Sequence, residues 1–137
     1  MTGEPESEIE AEIIRHHRVI ERWLSGAATA EEFGSFAEAH AGGFTLTDPD
    51  GTTLTRAQVL ARVEGLHGAA PGLRIDIRRA RVVASEGPLV VAAFEEWQQN
   101  AVRQSTAILL RDGAQLRWLH LHETWMPPSP PARVPAE

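Results

Sequence analysis

The first part of the chain repeats apolar residues with the period of an α-helix. After a polar stretch over residues 1–7, which we expect to be frayed, five side chains fall on one helical face: Ile9, Ile13, His17, Ile20 and Leu24. Gly26 marks the end of this helix. The pattern therefore predicts one long amphipathic helix that begins at Glu8 and packs its apolar face on the rest of the domain.

Two shorter helices are indicated by threonine capping pairs. Thr29 with Glu32, and Thr55 with Gln58, have the spacing at which a threonine side chain caps the backbone N–H three residues further on. Glycines follow the expected end of each helix. A short strand is predicted between the two helices, at residues 44–47.

The second half of the chain has the pattern of β-strands. Four segments rich in apolar and β-branched residues are separated by turn sequences such as Asp112-Gly113: 73–85, 89–99, 103–111 and 116–125. Helices gathered before a run of antiparallel strands indicate an α+β domain, in which a long helix packs on a curved antiparallel sheet and forms a cone with an internal pocket. The domain is predicted over residues 8–126. The proline-rich tail at 127–137 is expected to be extended or disordered.

Composition narrows the possible chemistry. Hydrophobic residues make up 42% of the 137 residues, an ordinary value for a globular domain, so disorder of the whole chain is excluded. The sequence contains no Cys, Tyr or Lys. Thiol catalysis, Cys-ligated metal sites, lysine Schiff bases and tyrosine acids are therefore excluded, and no cofactor is expected.

Acidic charge is concentrated near the start of the sequence. Residues 1–40 contain nine Glu and three Arg, whereas the remaining residues contain ten acidic residues and ten Arg. No segment is strongly basic, which argues against a nucleic-acid partner or a membrane surface. The sequence has no apolar run long enough to span a bilayer, and its acidic start is unlike a secretory signal, so we expect a cytoplasmic protein.

Three segments together resemble the nuclear transport factor 2-like superfamily, in particular its SnoaL-like and ketosteroid-isomerase-like small proteins. They are EIIRHHRVIERWLSGA at 12–27, GGFTLTDPDGTTLTRAQVLARV at 42–63 and LRWLHLHETW at 116–125, where His120-x-His122-x-Thr124 looks like the H-x-H-x-S ending of that group. The resemblance implies a cone-shaped, cystatin-like fold and a homodimer packed through the sheet. The tyrosine-dependent oxyanion hole of ketosteroid isomerases is not carried over, because the chain has no Tyr.

Ionisable side chains on the expected pocket wall are the candidates for catalysis. His17 lies on the apolar helix face and can act as a base near neutral pH; the alternative is a buried histidine bonded to a backbone group. Glu95 and Glu96 end an apolar strand, so one of them points inward if the alternation continues. The alternative for these two is a solvated strand end. Trp97 is a candidate aromatic wall of the ligand pocket.

The last strand supplies the remaining pocket candidates. Side-chain alternation places Leu119, Leu121 and Glu123 on one face. If the hairpin at Asp112-Gly113 has three loop residues, Arg103 lies directly opposite Glu123, and the two form the polar end of an otherwise apolar cavity. An exposed cross-strand ion pair is the alternative. Loss of Arg103 would cost about 3–5 kcal/mol for a buried pair and under about 1 kcal/mol for an exposed one.

The other face of the last strand carries the candidates for a dimer interface. His120 and His122 lie about 7 Å apart on this face, a separation that suits a shared metal, but no third and fourth ligand accompanies them, so no metal site is predicted. The resemblance places this face on the outside of the sheet. We therefore expect Trp118, His120 and His122 at or near a homodimer contact.

Two charged segments are assigned no function. Asp48-Pro49-Asp50-Gly51 is predicted to be a turn rather than a calcium loop, because Val59 stands where a calcium loop needs Glu. The local basic cluster of Arg74, Arg78, Arg79 and Arg81 is predicted to be a solvated strand face, since Asp76 interrupts it and no aromatic residue interleaves.

Three functions remain compatible with these patterns. The first is a pocket protein that binds a small, mostly apolar metabolite. The second is a cofactor-independent enzyme of the cyclase, isomerase or dehydratase type that uses His17 and one strand glutamate. The third is a dimerisation or assembly module. We rank binding first because no catalytic set is complete in the sequence.

Overall fold

The amphipathic pattern at the start of the chain forms helix α1, Gly3–Ser25, in a computed structural model that describes residues 3–127. The helix begins at Gly3, earlier than the predicted start at Glu8, because its polar first turns precede the first apolar residue of the buried face, Ile9. The predicted tail over 128–137 lies outside the described residues.

Both threonine caps form. Helix α2 spans Ala30–Glu38 and helix α3 spans Arg56–Glu64. At α3 the capping box is complete: the Thr55 hydroxyl accepts the Gln58 N–H, and the Gln58 side chain accepts the Thr55 N–H. At α2 only the threonine half forms, because the Glu32 carboxylate binds Arg22 of α1 instead.

Six strands make one sheet in the described part of the chain. They are β1 His40–Thr47, β2 Thr53–Thr55, β3 Asp76–Glu86, β4 Leu89–Trp97, β5 Val102–Asp112 and β6 Gln115–Trp125. The strand order across the sheet is β2-β1-β6-β5-β4-β3. The four last strands form the predicted antiparallel meander.

One strand pair differs from the prediction of an antiparallel sheet. β1 runs parallel to β6, while the other four pairs are antiparallel. A hairpin forces neighbouring strands to be antiparallel, but β1 and β6 are separated by α3 and four other strands, so no turn imposes their direction. The fold is still the predicted cystatin-like α+β architecture, with three helices packed on a curved, mainly antiparallel sheet.

The core lies between α1 and the concave face of the sheet. Ile9 and Ile13 of α1 are buried against Phe94, Leu109 and Trp118 of the central strands. None of the helices over residues 3–127 combines the length and hydropathy that a membrane-spanning helix needs. The concave face therefore has an apolar middle, with polar residues at one end of it.

Candidate functional site

Polar side chains collect where β4, β5 and β6 end on the concave face. Two cross-strand rows lie side by side there: Phe94–Ser105–Glu123 and Glu96–Arg103–Trp125. Residues two apart on a strand point to the same face, so both rows face α1. The residues of interest, called the charged cluster below, are His17, Glu96, Arg103, Ser105 and Glu123.

His17 contributes to the charged cluster from α1. Its Nδ1 donates to the Ile13 carbonyl oxygen at 2.9 Å, since a carbonyl can only accept. This bond turns Nε2 towards Glu96 Oε1 at 3.5 Å, and the other carboxylate oxygen of Glu96 accepts from the Gln98 side-chain amide at 2.7 Å. Both members of the His17–Glu96 pair are buried. The two groups form a buried contact between α1 and β4, which is an ion pair when His17 is protonated.

Arg103 and Glu123 form the other ion pair of the charged cluster. Arg103 donates to Glu123 Oε1 at 2.8 Å. Glu123 is buried, whereas the Arg103 side chain keeps 28% of its surface exposed. The Arg103 guanidinium lies 5.2 Å from the ring centre of Trp125, at the rim. Arg103 is thus the cluster residue that solvent can reach most easily.

The Arg103–Glu123 pair forms although its predicted register is wrong. The hairpin has two loop residues, since Asp112 pairs with Gln115, and a bulge follows between Ile108 and Leu109. Each feature shifts the register by one, so Arg103 lies opposite Trp125 rather than Glu123. Two register shifts of one residue each return the Arg103 side chain to the same face of the sheet as Glu123. Arg103 therefore still reaches Glu123 diagonally.

The two carboxylates of the charged cluster have opposite pKa shifts. Burial alone would raise the pKa of Glu96, but His17, Arg103 and the Gln98 amide lower it to about 2. Burial raises the pKa of Glu123 and the nearby Glu96 charge adds to this, although Arg103 at hydrogen-bond distance opposes it. Burial likewise disfavours charge on His17, yet Glu96 and the Ile13 carbonyl prevail and raise the pKa of His17. For both members of the His17–Glu96 pair, the neighbouring groups outweigh burial and set the direction of the pKa shift.

Ser105 is the residue of this site that the sequence patterns did not single out. It is only 1% exposed, and its hydroxyl has no hydrogen-bond partner within residues 3–127. It lies between Phe94 and Glu123 in the cross-strand row. A buried hydroxyl without a partner is unusual, and the described residues leave its hydrogen-bonding capacity unused. Its alternation with Arg103 was the signal that could have found it.

Glu95 and Trp97 lie on the other face of β4. The Trp97 indole N–H donates to Glu95 Oε1 at 3.0 Å, and Glu95 also contacts Arg79 at 3.4 Å. Glu96, not Glu95, is therefore the inward glutamate. The expectation that Trp97 walls the same pocket as His17 is wrong, because strand alternation turns its side chain away from Glu96.

The bulge in β6 also reverses two predictions about large apolar residues. Trp118 has no exposed surface and donates its indole N–H to Glu12 Oε2 at 2.9 Å, so it cannot lie in the predicted dimer contact. Leu119 was expected beside Leu121 in the pocket, but it is half-buried and outside the core cluster. Leu121 does face inward. The extra residue of a bulge shifts the alternation, which moves Trp118 into the core in place of Leu119.

His120 and His122 lie on the outer face, opposite Leu121 and Glu123. Their ring centres are 6.2 Å apart, and His120 Nδ1 lies 2.7 Å from the Thr45 hydroxyl. Among residues 3–127 no group of three or more metal-binding side chains comes together. The place of His120 and His122 in a dimer contact stays a prediction.

Two grooves open on the surface away from the charged cluster. One of about 820 Å³ lies between α1, α2 and the β5–β6 turn. The other, of about 530 Å³, lies between α1, the segment before β3 and the end of β4. Neither is lined by a member of the charged cluster. Phe94 and Trp118 fill the middle of the concave face, contrary to the prediction of an open apolar cavity there.

No protein-family model matches the chain, and no curated protein matches it significantly. An NTF2-like protein of unknown function from Pseudomonas aeruginosa is 30% identical, with a TM-score of 0.82; the match covers 85% of this chain and 97% of that one.

Two more distant structures share the fold. An uncharacterised protein with a cystatin-like fold from Caulobacter vibrioides is 12% identical over 90% of this chain and 92% of its own, with a TM-score of 0.70. A candidate ketosteroid isomerase from Parabacteroides distasonis is 17% identical over 85% of this chain and 86% of its own, with a TM-score of 0.59. At these identities the likeness concerns the fold alone.

Proposed function

Since the chain belongs to the nuclear transport factor 2-like family, whose members share this concave sheet, we propose that it binds a small molecule at the rim of the charged cluster. The observation that carries the proposal is the buried Ser105 hydroxyl, which has no partner within the described residues. The Arg103–Glu123 ion pair lies beside it and is partly open to solvent.

The surroundings of Ser105 define the kind of ligand. Phe94 and Glu123 flank it within the sheet, and Trp125 stands at the rim next to Arg103. Apolar walls with a few converging polar groups are typical of small-molecule sites. The ligand is therefore a mostly apolar molecule with one uncharged polar group, such as a carbonyl or hydroxyl, that bonds Ser105 and the Arg103 guanidinium.

A fragment screen tests this proposal. Small ketones, lactones and alcohols are titrated while the backbone amides of β5 and the Arg103 Nε–H are followed by NMR. The expected result is saturable binding that Ser105→Ala weakens by about five- to tenfold, the value of one hydrogen bond to a neutral group. Thr106→Ala, on the exposed face of the same strand, is the matched control and should change nothing. Binding confined to other surfaces would contradict the proposal.

Acid–base catalysis is the second candidate for the same site. Its support is the divergence of the two carboxyl pKa values: that of Glu96 is lowered to about 2 and that of Glu123 is raised. Environments that shift the pKa values of two carboxyl groups in opposite directions are typical of acid–base sites. In this mechanism the His17–Glu96 pair stays ionised and orients the site, and Glu123 moves the proton. Ser105 and Arg103 would stabilise an oxyanion.

Hydrogen exchange distinguishes binding from catalysis. Fragments that bind are incubated in D₂O, and loss of the proton next to their carbonyl group is followed by NMR. A catalyst accelerates exchange, and Glu123→Gln removes the acceleration without removing binding. If no bound fragment exchanges faster than in buffer, the enzyme candidate is rejected and the binding proposal stands.

We also propose that the convex face of the sheet forms a homodimer contact. Half-buried Val91 and Ile108 lie in one cross-strand row with His120 on that face, and Leu89 beside them is 37% exposed. A contiguous apolar strip of this kind favours a second copy over solvent. Light scattering should give a dimer for the wild type and a monomer for Ile108→Glu. A wild-type monomer at high micromolar concentration would contradict the contact.

A further inference from the structure

The groove of about 530 Å³ has the features of a second binding site. It lies between the last part of α1, the segment before β3 and the end of β4, and its walls include Arg18, Arg74, Arg78, Trp97, Gln98 and Gln99. Small-molecule sites occupy about 300–1,000 Å³, so its volume suits a small ligand. It shares no residue with the charged cluster.

The groove favours an anion. Its walls carry three arginines and two acids, one positive charge in excess on a chain of net charge −6. Both acids are engaged: Asp76 binds Arg78 at 2.7 Å, and Glu21 accepts the Ile75 N–H at 3.1 Å. Within residues 3–127 the Arg74 guanidinium has no ion-pair partner. An excess of one positive charge suits a singly charged anion better than a dianion.

The groove also holds an aromatic ring that the sequence pattern did not associate with these arginines. The Arg78 guanidinium lies 4.0 Å from the ring centre of Trp97, where the two planar groups attract each other. Trp97 is remote from Arg74 and Arg78 in sequence, and the pairing of β3 with β4 brings them together. Arg78 is exposed, as predicted for this cluster, and its guanidinium also contacts an aromatic ring from the neighbouring strand.

Hydrogen bonds hold the groove walls in place. The Gln99 side-chain oxygen accepts the Arg74 backbone N–H at 3.1 Å. The side-chain amide of Gln99 donates to the Gly72 carbonyl at 2.7 Å. These two bonds tie the segment before β3 to the turn after β4. The bond from Ile75 to Glu21 ties the same segment to α1. A site whose walls are already fixed loses less entropy when it binds.

We propose that this groove binds a small aromatic carboxylate. The carboxylate bonds Arg74 and the Arg78 N–H groups that Asp76 leaves free, and the aromatic ring packs on Trp97 beside the Arg78 guanidinium. Gln98 lines the groove and donates to Glu96 in the charged cluster. A ligand that turns the Gln98 amide towards itself alters the Glu96–His17 pair, so the cluster senses occupancy of the groove.

Titration with 1-naphthoate tests the proposal. Naphthoate should shift the Trp97 indole N–H and the Gln98 side-chain amide with a saturable, about millimolar dissociation constant. The neutral analogue 1-naphthamide should bind about tenfold more weakly, because it cannot form charge-assisted bonds with the arginines. Cyclohexanecarboxylate, which keeps the charge but lacks the ring, should also bind more weakly.

Variants locate the binding and separate it from the proposed function. Arg74→Gln should weaken naphthoate binding about fivefold, whereas Arg81→Gln, in the same sequence cluster but outside the groove, should leave it unchanged. Gln98→Ala should keep binding but abolish the shift that naphthoate causes at the His17 ring. Ser105→Ala should have no effect here, so failure of one site is distinguishable from failure of the other. Absence of saturation, equal binding of naphthamide, or equal weakening by Arg81→Gln would overturn the proposal.

Discussion

His16 and His17 are neighbours in α1, and each is only 3% exposed, yet they lie in opposite environments. The His16 ring stacks on Trp118 at 4.3 Å and on Phe36 at 4.9 Å. The His17 imidazole instead faces the Glu96 carboxylate. Consecutive helix residues point about 100° apart, which is enough to place one ring in an aromatic layer and the other in the charged cluster.

The two histidines respond to burial in opposite ways. Burial lowers the pKa of His16 well below its usual value, and the neighbouring His40, His17 and Arg15 add to the effect. Burial acts in the same direction on His17, but Glu96 and the Ile13 carbonyl outweigh it and raise the pKa. Burial therefore does not fix the protonation state of a histidine; the groups that its ring faces decide it.

The largest expected effect comes from removing the Trp118 side chain, which contacts both histidine rings. Trp118 stacks on His16 and lies edge-on to His17, with no exposed surface. Trp118→Ala should lower the free energy of unfolding by about 4 kcal/mol, because it leaves a large cavity in the core. Urea unfolding measures this loss. Trp125→Ala, at a rim residue that is 41% exposed, is the control and should cost under about 1 kcal/mol.

The second largest effect is expected from acidification, through His40, whose ring lies 4.9 Å from that of His16 in the aromatic layer. Burial lowers the pKa of His40 to about 4, so the folded protein resists its protonation while the unfolded chain takes up a proton near pH 6.5. The stability that neutral His40 provides is present above pH 6.5 and is lost as the pH falls to about 4, a loss of about 3 kcal/mol from this group. His16 acts in the same direction.

The pH dependence of stability that His17 contributes has the opposite sign. Its raised pKa means that its contribution is fully present below pH 6.5 and is lost as the pH rises through the folded value. Urea unfolding between pH 4 and pH 8 should show stability lost on the acid side because of His40 and His16, and on the alkaline side because of His17. His122→Gln, at an exposed residue, should leave that limb unchanged. A free energy of unfolding that does not change between pH 6.5 and pH 4 would show that His40 is protonated inside the folded protein without a loss of stability.

The main elements of the fold are predictable because each has a local signal. The period of apolar residues gives α1, the two threonines give the starts of α2 and α3, and the turn sequences separate the strands of the meander. The direction of β1 has no such signal. Its partner β6 is far away in sequence, and only the completed core decides that the two run parallel.

The residues of the charged cluster are predictable only where side chains alternate regularly between the two faces of the sheet. Arg103 and Glu123 meet because a short hairpin and a bulge shift the register twice. The same bulge moves Trp118 inward and Leu119 outward, and no sequence pattern distinguishes two large apolar neighbours. The choice between Glu95 and Glu96 likewise depends on a register that is set by tertiary packing.

Breaking the His17–Glu96 pair should have the next largest effect. Glu96→Gln keeps the shape of the side chain but removes the charge that raises the pKa of His17, so this pKa should fall below its usual value as burial becomes dominant. We expect a loss of about 2 kcal/mol in urea unfolding at pH 6. NMR titration of the His17 ring measures the pKa.

Glu95→Gln is the matched control for this variant. Glu95 is the adjacent residue on the other face of β4, and the glutamine keeps an acceptor for the Trp97 indole N–H. It should leave the pKa of His17 unchanged and cost under about 0.5 kcal/mol. Similar effects from the two variants would contradict the assignment of Glu96 as the partner of His17.

The smallest effect, and the one that separates the two histidines by sign, is expected from His16→Phe. Nδ1 of His16 has no hydrogen-bond partner within the described residues, and the ring is held by stacking alone. Phenylalanine keeps a ring of similar size and removes a buried unsatisfied polar atom, so the protein should gain up to about 1 kcal/mol at pH 7. His17→Phe should instead lose stability, because it leaves Glu96 without its partner. Urea unfolding of both variants measures the difference, and a loss of about 1 kcal/mol or more for His16→Phe would show that His16 makes a polar contact which an aromatic ring cannot replace.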